Sequence, residues 1–337
     1  MDDQILSRSE HSSTVRNQAT ELLAARVAEW ADPSDLGNRI CIYTTGSFGR
    51  SDASRFSDLD VFIVALEEDL TKTRRLSGLE EIELLATIVR VNRELELPDL
   101  DGDGGFLKVH PLSEYLVGLG KPSDDAENTF TGRLLLLLES KAIFGNSSYQ
   151  HIRRECVERY WIDYADHADS FLPAFLVNDI LRFWRTLCVN YEAGTSPDPA
   201  KRRAKNYKLK FSRLLTCFSA IVGIQAEFQT KRTVSVDQVI EILDRTPLER
   251  LSHIALLFNG EVQAKVHSMQ MMYNDFLIET NCSKHDLYKK MEDPGYYRGS
   301  LNGARLFGDA MFELMQTLSA IDKSKIEGQR FFRYITI

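Results

Sequence analysis

Cysteine is scarce and unpatterned in this sequence: Cys41, Cys156, Cys188, Cys217 and Cys282 are odd in number, far apart and free of CxxC spacing. That excludes a disulfide framework and a cysteine-built zinc site, and it fits a reduced, cytoplasmic setting. The seven histidines also lack ligand spacing and read as structural or surface residues. Long apolar runs are missing. Crossing a bilayer takes about 18 or more apolar residues, and the longest obvious run is residues 134–138. The opening MDDQILSRSEHSS has no basic-then-apolar signal pattern, so neither a membrane span nor an export address is expected. An excess of positive charge is absent too. With 41 Lys and Arg against 49 Asp and Glu, the net charge is −8, which excludes a chain that coats duplex DNA by charge alone. Any nucleic acid it handles is expected to be a substrate or product in a local basic groove. Internal repeats and long low-complexity segments are likewise absent.

The 337 residues exceed the usual size of one core, so two domains are expected. Residues 1–145 mix helical and β-prone runs: a helix near 13–30, strands near 40–43 and 59–64, a helix near 80–96 and a strand near 106–110. Residues 146–325 read as helical almost throughout, with apolar residues at three- and four-residue spacing in 171–191, 211–228, 234–243 and 308–318. Residues 326–337 form a tail. The expected class is α+β, a small mixed sheet flanked by helices and followed by an all-helical domain. Breaks fall at Gly145-Asn146-Ser147-Ser148 and at residues 194–199, the second a loop between helices or a mobile lid. Apolar helix faces can meet a neighbour in the same chain or in another copy, so the oligomeric state stays open.

Residues 44–66, TTGSFGRSDASRFSDLDVFIVAL, concentrate the chemistry. Ile40, Cys41, Ile42 and Tyr43 form a β-prone run that stops at Gly46-Ser47, and Leu59, Val61, Phe62, Ile63 and Val64 form another. Alternation along the second puts Asp58 and Asp60 on one face while Leu59 and Val61 enter a core. Two carboxylates on one face repel unless a cation lies between them. Hard oxygen donors at this spacing suit Mg²⁺, which keeps several waters and takes substrate phosphate oxygens. Two such ions about 3.5–4 Å apart can clamp the attacking and leaving oxygens of a phosphoryl transfer, and Mn²⁺ can take the same places. Gly46 lets backbone N–H groups approach phosphate oxygens and Ser47 adds a hydroxyl. Arg50 and Arg55 stand nearby as charge clamps. A surface turn followed by a solvated acidic strand accounts for neither the turn nor the paired acids.

Gly46-Ser47, a ten-residue spacer and Asp58-Leu59-Asp60 resemble the signature of the DNA polymerase β-like nucleotidyltransferase superfamily. The flanking GSFGR and FSDLDVF are similar to its bacterial uridylyltransferase-like and related stand-alone branch. The resemblance implies a catalytic domain over residues 1–145, a nucleotide- or substrate-binding domain over 146–325, and two Mg²⁺ ions. It also implies a third carboxylate from a later strand. The strand near 106–110 contains no acid, which leaves Asp99, Asp101 and Asp103 of PDLDGDGG, with Glu114 behind them. Asp103 is preferred as catalytic residue and metal ligand. A solvated turn explains PDLDGDGG equally well, because Asp and Gly suit turns for backbone reasons. It is not an EF-hand: a loop begun at Asp99 puts His110 where a bidentate glutamate is needed, and one begun at Asp103 puts Gly105 and Leu107 at ligand positions.

Three further clusters suit a nucleotide. Asn178, Arg182 and Arg185 share a helix face at i, i+4 and i+7 and either contact a base, ribose or phosphate or leave Arg182 paired with Asp179 as a staple between domains. Residues 201–213 hold seven cations in thirteen residues. Lys205, Lys208 and Arg213 are the expected triphosphate contacts there, with Tyr207 and Phe211 able to stack on bases unless they belong to the core; a solvated helix face is the competing reading. Asp124, Asp125, Glu127, Asn128, Thr131 and Arg133 open a helix, where an N-cap role for Asp124 or Asp125 explains much of the cluster without function.

The segments LLLLLESKAIFG, FLPAFLVNDILRFWRTLCVNYEAG and KNYKLKFSRLL are similar to a narrower group, stand-alone bacterial nucleotidyltransferases that accompany defence effectors, in particular those of the anti-phage Hailong system. That resemblance covers most of the chain. It implies template-independent synthesis of short single-stranded DNA oligomers, with dATP favoured and oligo-deoxyadenylate as product, which hold an effector protein inactive. It also implies a tyrosine acceptor near the C-terminus, a place that Tyr334 occupies in the tail KIEGQRFFRYITI. Metal contact can lower a phenol's pKa toward the working pH. The tail's Phe331, Phe332, Tyr334, Ile335 and Ile337 equally suit a final strand or a packed tail, and Arg330 and Arg333 suit a phosphate path or a docking surface. The expected reaction is in-line attack on the α-phosphorus with loss of pyrophosphate. Transfer to a partner protein or small molecule, dinucleotide signal synthesis, and an inactive nucleotide-binding module are the alternatives.

Overall fold

The computed structural model describes residues 3–68, 74–100, 107–120, 124, 129–193, 197–258, 260–321 and 331–333. The chain divides into two compact units, Ile5–Arg159 and Tyr160–Ile337 with Met1–Gln4. The protein is α+β, with a four-stranded mixed sheet in the first unit.

In the first unit, β1 (Ile40–Thr44) and β2 (Val61–Ala65) are antiparallel, running from Ile40 opposite Ala65 to Thr44 opposite Val61. β3 (Val109–Pro111) lies parallel to β2, with Val109 opposite Ile63, and β4 (Lys141–Phe144) lies antiparallel to β1, giving the order β3-β2-β1-β4. The helices are α1 (Gln4–Val27), α2 (Pro33–Gly37), α3 (Gly46–Arg50), α4 (Gly78–Glu94), α5 (Leu112–Val117), α6 (Thr129–Leu138) and α7 (Asn146–Glu158). Ile40, Ile42, Val61, Ile63 and Ala65 pack with Val15, Leu23 and Val27 of α1 and with Leu84, Ile88 and Val91 of α4. Side chains of opposite parity cover the other face. There Tyr43 stacks on Phe62 at 5.8 Å, meets Tyr149 of α7 at 6.0 Å, and its hydroxyl lies 3.2 Å from that of Tyr115 in α5.

The break at Gly145 does not part the units. Gly145 has φ +66, and a Cβ there would run into the carbonyl of Ile40, so it is a tight turn between β4 and α7. Both elements belong to the first unit, because β4 pairs with β1 and α7 packs on it. Asp124 is not explained by capping alone. Arg133 grips it bidentately at 2.6 and 2.9 Å and also donates to the Tyr115 carbonyl at 2.9 Å, while the Thr129 hydroxyl donates to the same carboxylate at 3.0 Å. Both charges are fully buried. Asp125, Glu127 and Asn128 lie outside the described residues.

The second unit holds α8 (Ala174–Ala193), α9 (Pro199–Lys208), a π-helical turn (Leu209–Arg213), α10 (Leu214–Lys231), α11 (Val236–Asp244), α12 (Pro247–Leu257), α13 (Glu261–Glu279), α14 (Lys284–Glu292) and α15 (Pro294–Ile321). α10 is its centre and packs against α8, α11, α12 and α15. From Pro199 to Lys231 the chain is one helix, long and apolar enough by composition to cross a membrane. Of its apolar window, 78% is buried inside the structure, as in a core helix. The sequence hides this run because Thr216, Ser219, Gln225 and Glu227 interrupt it, all of them buried. All five cysteines are free thiols. Burial pushes the Cys156 and Cys217 thiols up to about 12 and Cys41 higher still, so these three behave as small apolar side chains.

Candidate functional site

Gly46 follows β1 and opens the short helix α3 with φ +64. A Cβ on it would run into Asp60 Oδ2. Glycine thus meets two demands at once: a left-handed backbone and space for a carboxylate seated against the main chain. Asp60 is fixed from behind, its carbonyl accepting from Thr45 N–H at 2.9 Å and from the Thr44 hydroxyl at 3.0 Å. These bonds extend the β1–β2 ladder one residue beyond Val61. Leu59 and Val61 are buried in the core while Asp58 and Asp60 stay half-exposed, the alternation read from the sequence. Ser47 is half-exposed one residue after Gly46.

Arg50 does not serve as a free charge clamp. Its Nε and Nη2 take both oxygens of Asp52 at 3.0 and 3.2 Å, and Nη1 takes Glu139 Oε2 at 3.0 Å. The three side chains are 9%, 5% and 0% exposed. A desolvated arginine needs such partners, and the bidentate fork holds them in one geometry. Gly49, one residue earlier, admits the Glu139 carbonyl where a Cβ would collide. Arg55 is different: it is exposed, with its guanidinium 4.7 Å from the centre of the Phe56 ring. It sits in a compact turn in which Ser54 N–H donates to the Ser57 hydroxyl at 3.0 Å and Ser57 N–H to the Ser54 carbonyl at 2.9 Å. Asp58 follows directly.

Among the described residues no third carboxylate joins these two in a metal-binding group. Asp101 and Asp103 lie outside the described residues. Asp99 is exposed in the loop after α4. Glu114 is displaced by topology. β3 runs parallel to β2 and Pro111 stands opposite Ala65, so Glu114 in α5 lies past the end of the sheet away from Asp60. There Glu114 bonds His110 Nδ1 at 3.0 Å. Burial lowers the His110 pKa, and the Glu114 hydrogen bond opposes this in part. Next to β2, the strand β3 reads Val109-His110-Pro111 and follows Leu107-Lys108, with no acid among these residues. Among the described residues no group of three or more His, Cys, Asp or Glu is placed to hold a metal ion. Two half-exposed carboxylates remain, one of them seated against a glycine. That donor set fits Mg²⁺, whose shell is commonly one or two carboxylates completed by water and substrate phosphate.

A polar stripe on α1 was missed by sequence reasoning. Arg8 donates to the Asp52 carbonyl at 3.1 Å, the Ser12 hydroxyl accepts from Ala53 N–H at 3.0 Å, and Arg16 donates to the Phe48 carbonyl at 2.6 Å and the Ser51 hydroxyl at 3.2 Å. The available signal was the i, i+4, i+8 spacing of these residues in a helix poor in apolar ones.

The sequence-predicted clusters of the second unit separate into spent and exposed groups. Asp179 accepts from the Tyr160 hydroxyl at 2.8 Å and pairs with Arg182 at 3.5 Å. All three belong to the second unit, where Asp179 and Arg182 form an i, i+3 pair. Asn178 and Arg185 are exposed. Tyr207 and Phe211 are core residues: Tyr207 packs edge-on to Phe211 and Phe276, Phe211 stacks on Phe276 at 4.7 Å and Phe307 at 4.9 Å, and the Tyr207 hydroxyl donates to Glu279 at 2.5 Å. Burial first, then that carboxylate, pushes the Tyr207 phenol up. Arg203 donates to the carbonyls of Met291 and Glu292. Lys205 and Lys208 are exposed on α9, and Arg213 is half-buried in the π turn. In the tail, Phe331 is fully buried and Arg333 exposed, while Tyr334 and Arg330 lie outside the described residues. No protein-family model matches this chain, and no curated protein matches it either.

Proposed function

We propose that this chain is a Mg²⁺-dependent nucleotidyltransferase. The observation that carries the reading is the seat of the Asp60 carboxylate against Gly46, which joins the Gly-Ser and Asp-x-Asp halves of the motif across β1 and β2. Asp58 and Asp60 are the residues that would hold the metal. When bound, Mg²⁺ supplies neutralisation of phosphate charge and acidification of the acceptor hydroxyl. Gly46 and Ser47 bind and orient the triphosphate through backbone N–H and hydroxyl donors, with Arg55 in the place expected of Arg50. The acceptor hydroxyl gives up its proton to solvent as its oxygen forms a bond to the α-phosphorus, the bond from that phosphorus to the bridging oxygen breaks, and pyrophosphate leaves with the electron pair. As acceptor we propose the Tyr334 hydroxyl, with dATP as favoured donor, a short deoxyadenylate strand as product and an effector protein as its target.

Incubation with Mg²⁺ and each ribo- and deoxynucleoside triphosphate in turn, read by intact mass beside Tyr334→Phe, tests this. Mass gained in deoxynucleotide steps and lost in the variant supports self-primed synthesis. Pyrophosphate release without added mass moves the acceptor to another molecule, and absence of both refutes transfer. A second reading, a nucleotide-binding module without catalysis, is favoured by the acid-free sequence of the described strand beside β2. Tight Mg²⁺-dependent triphosphate binding with no pyrophosphate would select it.

A further inference from the structure

We propose that α1 is a positioning element of the nucleotide site, acting through Ser12 and Arg16. This rests on the nucleotide-binding reading of Gly46, Ser47, Asp58 and Asp60. The segment between the two motif halves, residues 48–57, has only short-range structure of its own: the end of a five-residue helix, a left-handed Ser51 (φ +62) and a serine-bounded turn. Such a segment keeps both motif halves in place only if it is tied down elsewhere. Phe48 and Ala53 are anchored in the core, and the polar ties come from two sides. On one side Arg50 grips buried Glu139 and Gly49 lies against the Glu139 carbonyl. On the other, α1 presents Arg8, Ser12 and Arg16 in successive turns, and together they bond the carbonyls of Phe48 and Asp52, the hydroxyl of Ser51 and the N–H of Ala53.

The pattern of these bonds is specific. Three of the four use main-chain atoms, so they fix the path of the segment regardless of its side chains. The Ser12 hydroxyl donates to the Arg8 carbonyl at 2.7 Å while accepting from Ala53, which fixes the direction in which its lone pair points. Arg16 reaches the last turn of α3, whose first residue is Gly46. A shift of this turn therefore moves Gly46 and Ser47 relative to Asp60. None of the three α1 residues needs to touch a ligand.

The test compares Arg16→Ala, Arg16→Lys and Ser12→Ala with Arg26→Ala, which removes salt bridges to Glu29 and Glu94 from the same helix without touching the segment. Arg16 and Arg26 are both partly exposed, so both alanine variants are expected to fold. The readouts are the Kd for dATP with Mg²⁺, and amide hydrogen exchange of residues 46–57. Arg16→Ala and Ser12→Ala are expected to weaken dATP about 10- to 100-fold, the usual effect of removing a group that orients a binding residue, and to speed exchange in that segment but not in β1 or β2. Arg16→Lys is expected to recover part of the affinity and Arg26→Ala to match wild type. Wild-type affinity in Arg16→Ala, or equal losses in Arg16→Ala and Arg26→Ala, overturns the positioning role while leaving the nucleotide reading intact. No dATP binding by the wild-type chain overturns both.

Discussion

Replacing Gly46 by alanine separates backbone strain from damage to the site, because the same fold offers a matched control. Gly46 and Gly120 both have left-handed backbones, φ +64 and +77, yet a Cβ on Gly120 meets nothing within 4 Å while one on Gly46 meets the Asp60 carboxylate. The shared cost of a left-handed alanine is about 1–2 kcal/mol, less roughly 0.4–1 kcal/mol recovered through the stiffer unfolded chain. Gly120→Ala is thus expected to lose at most about 1.6 kcal/mol and to bind nucleotide normally. In Gly46→Ala the Asp60 main chain cannot retreat, since its carbonyl is held by Thr44 and Thr45. Relief must come from the Asp60 side chain, and an off-rotamer χ1 adds about 0.5–1.5 kcal/mol. The stability loss is still modest. The binding loss is not, because disturbing the contacts that hold a metal-binding carboxylate typically costs about 10- to 100-fold in metal affinity. Urea unfolding and calorimetric titration with Mg²⁺ and dATP measure the two quantities on each variant. Equal, wild-type-like titrations for Gly46→Ala and Gly120→Ala would refute the placement of the site at Gly46 and Asp60.

Asp58→Asn with Asp60→Asn is expected to abolish Mg²⁺-dependent pyrophosphate release while circular dichroism stays unchanged; normal release would remove the metal assignment. Arg50→Ala strands two buried carboxylates and is expected to cost about 3–5 kcal/mol in denaturant unfolding, whereas Arg55→Ala at an exposed site is expected to stay within about 0.5 kcal/mol and to weaken triphosphate more than monophosphate in a fluorescence titration. The His110 pKa is lowered in the fold, so the unfolded chain binds the extra proton first. Stability is therefore full above the unfolded histidine value of about 6.5 and falls as pH drops from there toward the lowered folded value, a slope that His110→Gln is expected to reduce in pH-dependent urea titrations. Tyr207→Phe, which gives up the bond to Glu279 but keeps the ring stack, is expected to cost about 1 kcal/mol and to leave oligonucleotide binding unchanged by anisotropy.

The sheet strands nearest the site were legible because β-branched residues stop abruptly at Gly46-Ser47 and because Leu59 and Val61 alternate with acids. Elsewhere tertiary context decided. The helix expected from residue 13 starts at Gln4, since the face it buries there is Gln4, Arg8 and Ser12, which no apolar period reveals. The last long helix was expected from residue 308 and starts at Pro294. Gly295, Gly299 and Gly303 lower its propensity, and the burial of Ser300, Ala304 and Phe307 offsets them. For Arg50 and Tyr207 the residue type was read correctly as charge and aromatic surface, but one sequence does not show that Glu139, 89 positions away, and Glu279, 72 positions away, absorb their hydrogen bonds. Glu114 needed the parallel pairing of β3 to be set aside, and strand direction follows from topology rather than from local pattern.

The π-helical turn at Leu209–Arg213 lies between the cationic start and the apolar remainder of the helix from Pro199 to Lys231. Such a turn holds one residue more than regular winding would, and one residue is worth roughly 100° about the axis. Its extra residue sets the phase between the two parts: Tyr207 and Phe211 enter the same aromatic cluster while Lys205, Lys208 and Lys210 remain outside. Deleting a single residue here would keep the helix continuous and the composition almost unaltered. It would also turn the cations of α9 by more than a quarter of a revolution against the core that α10 anchors, so the length of this segment is under tighter constraint than its sequence.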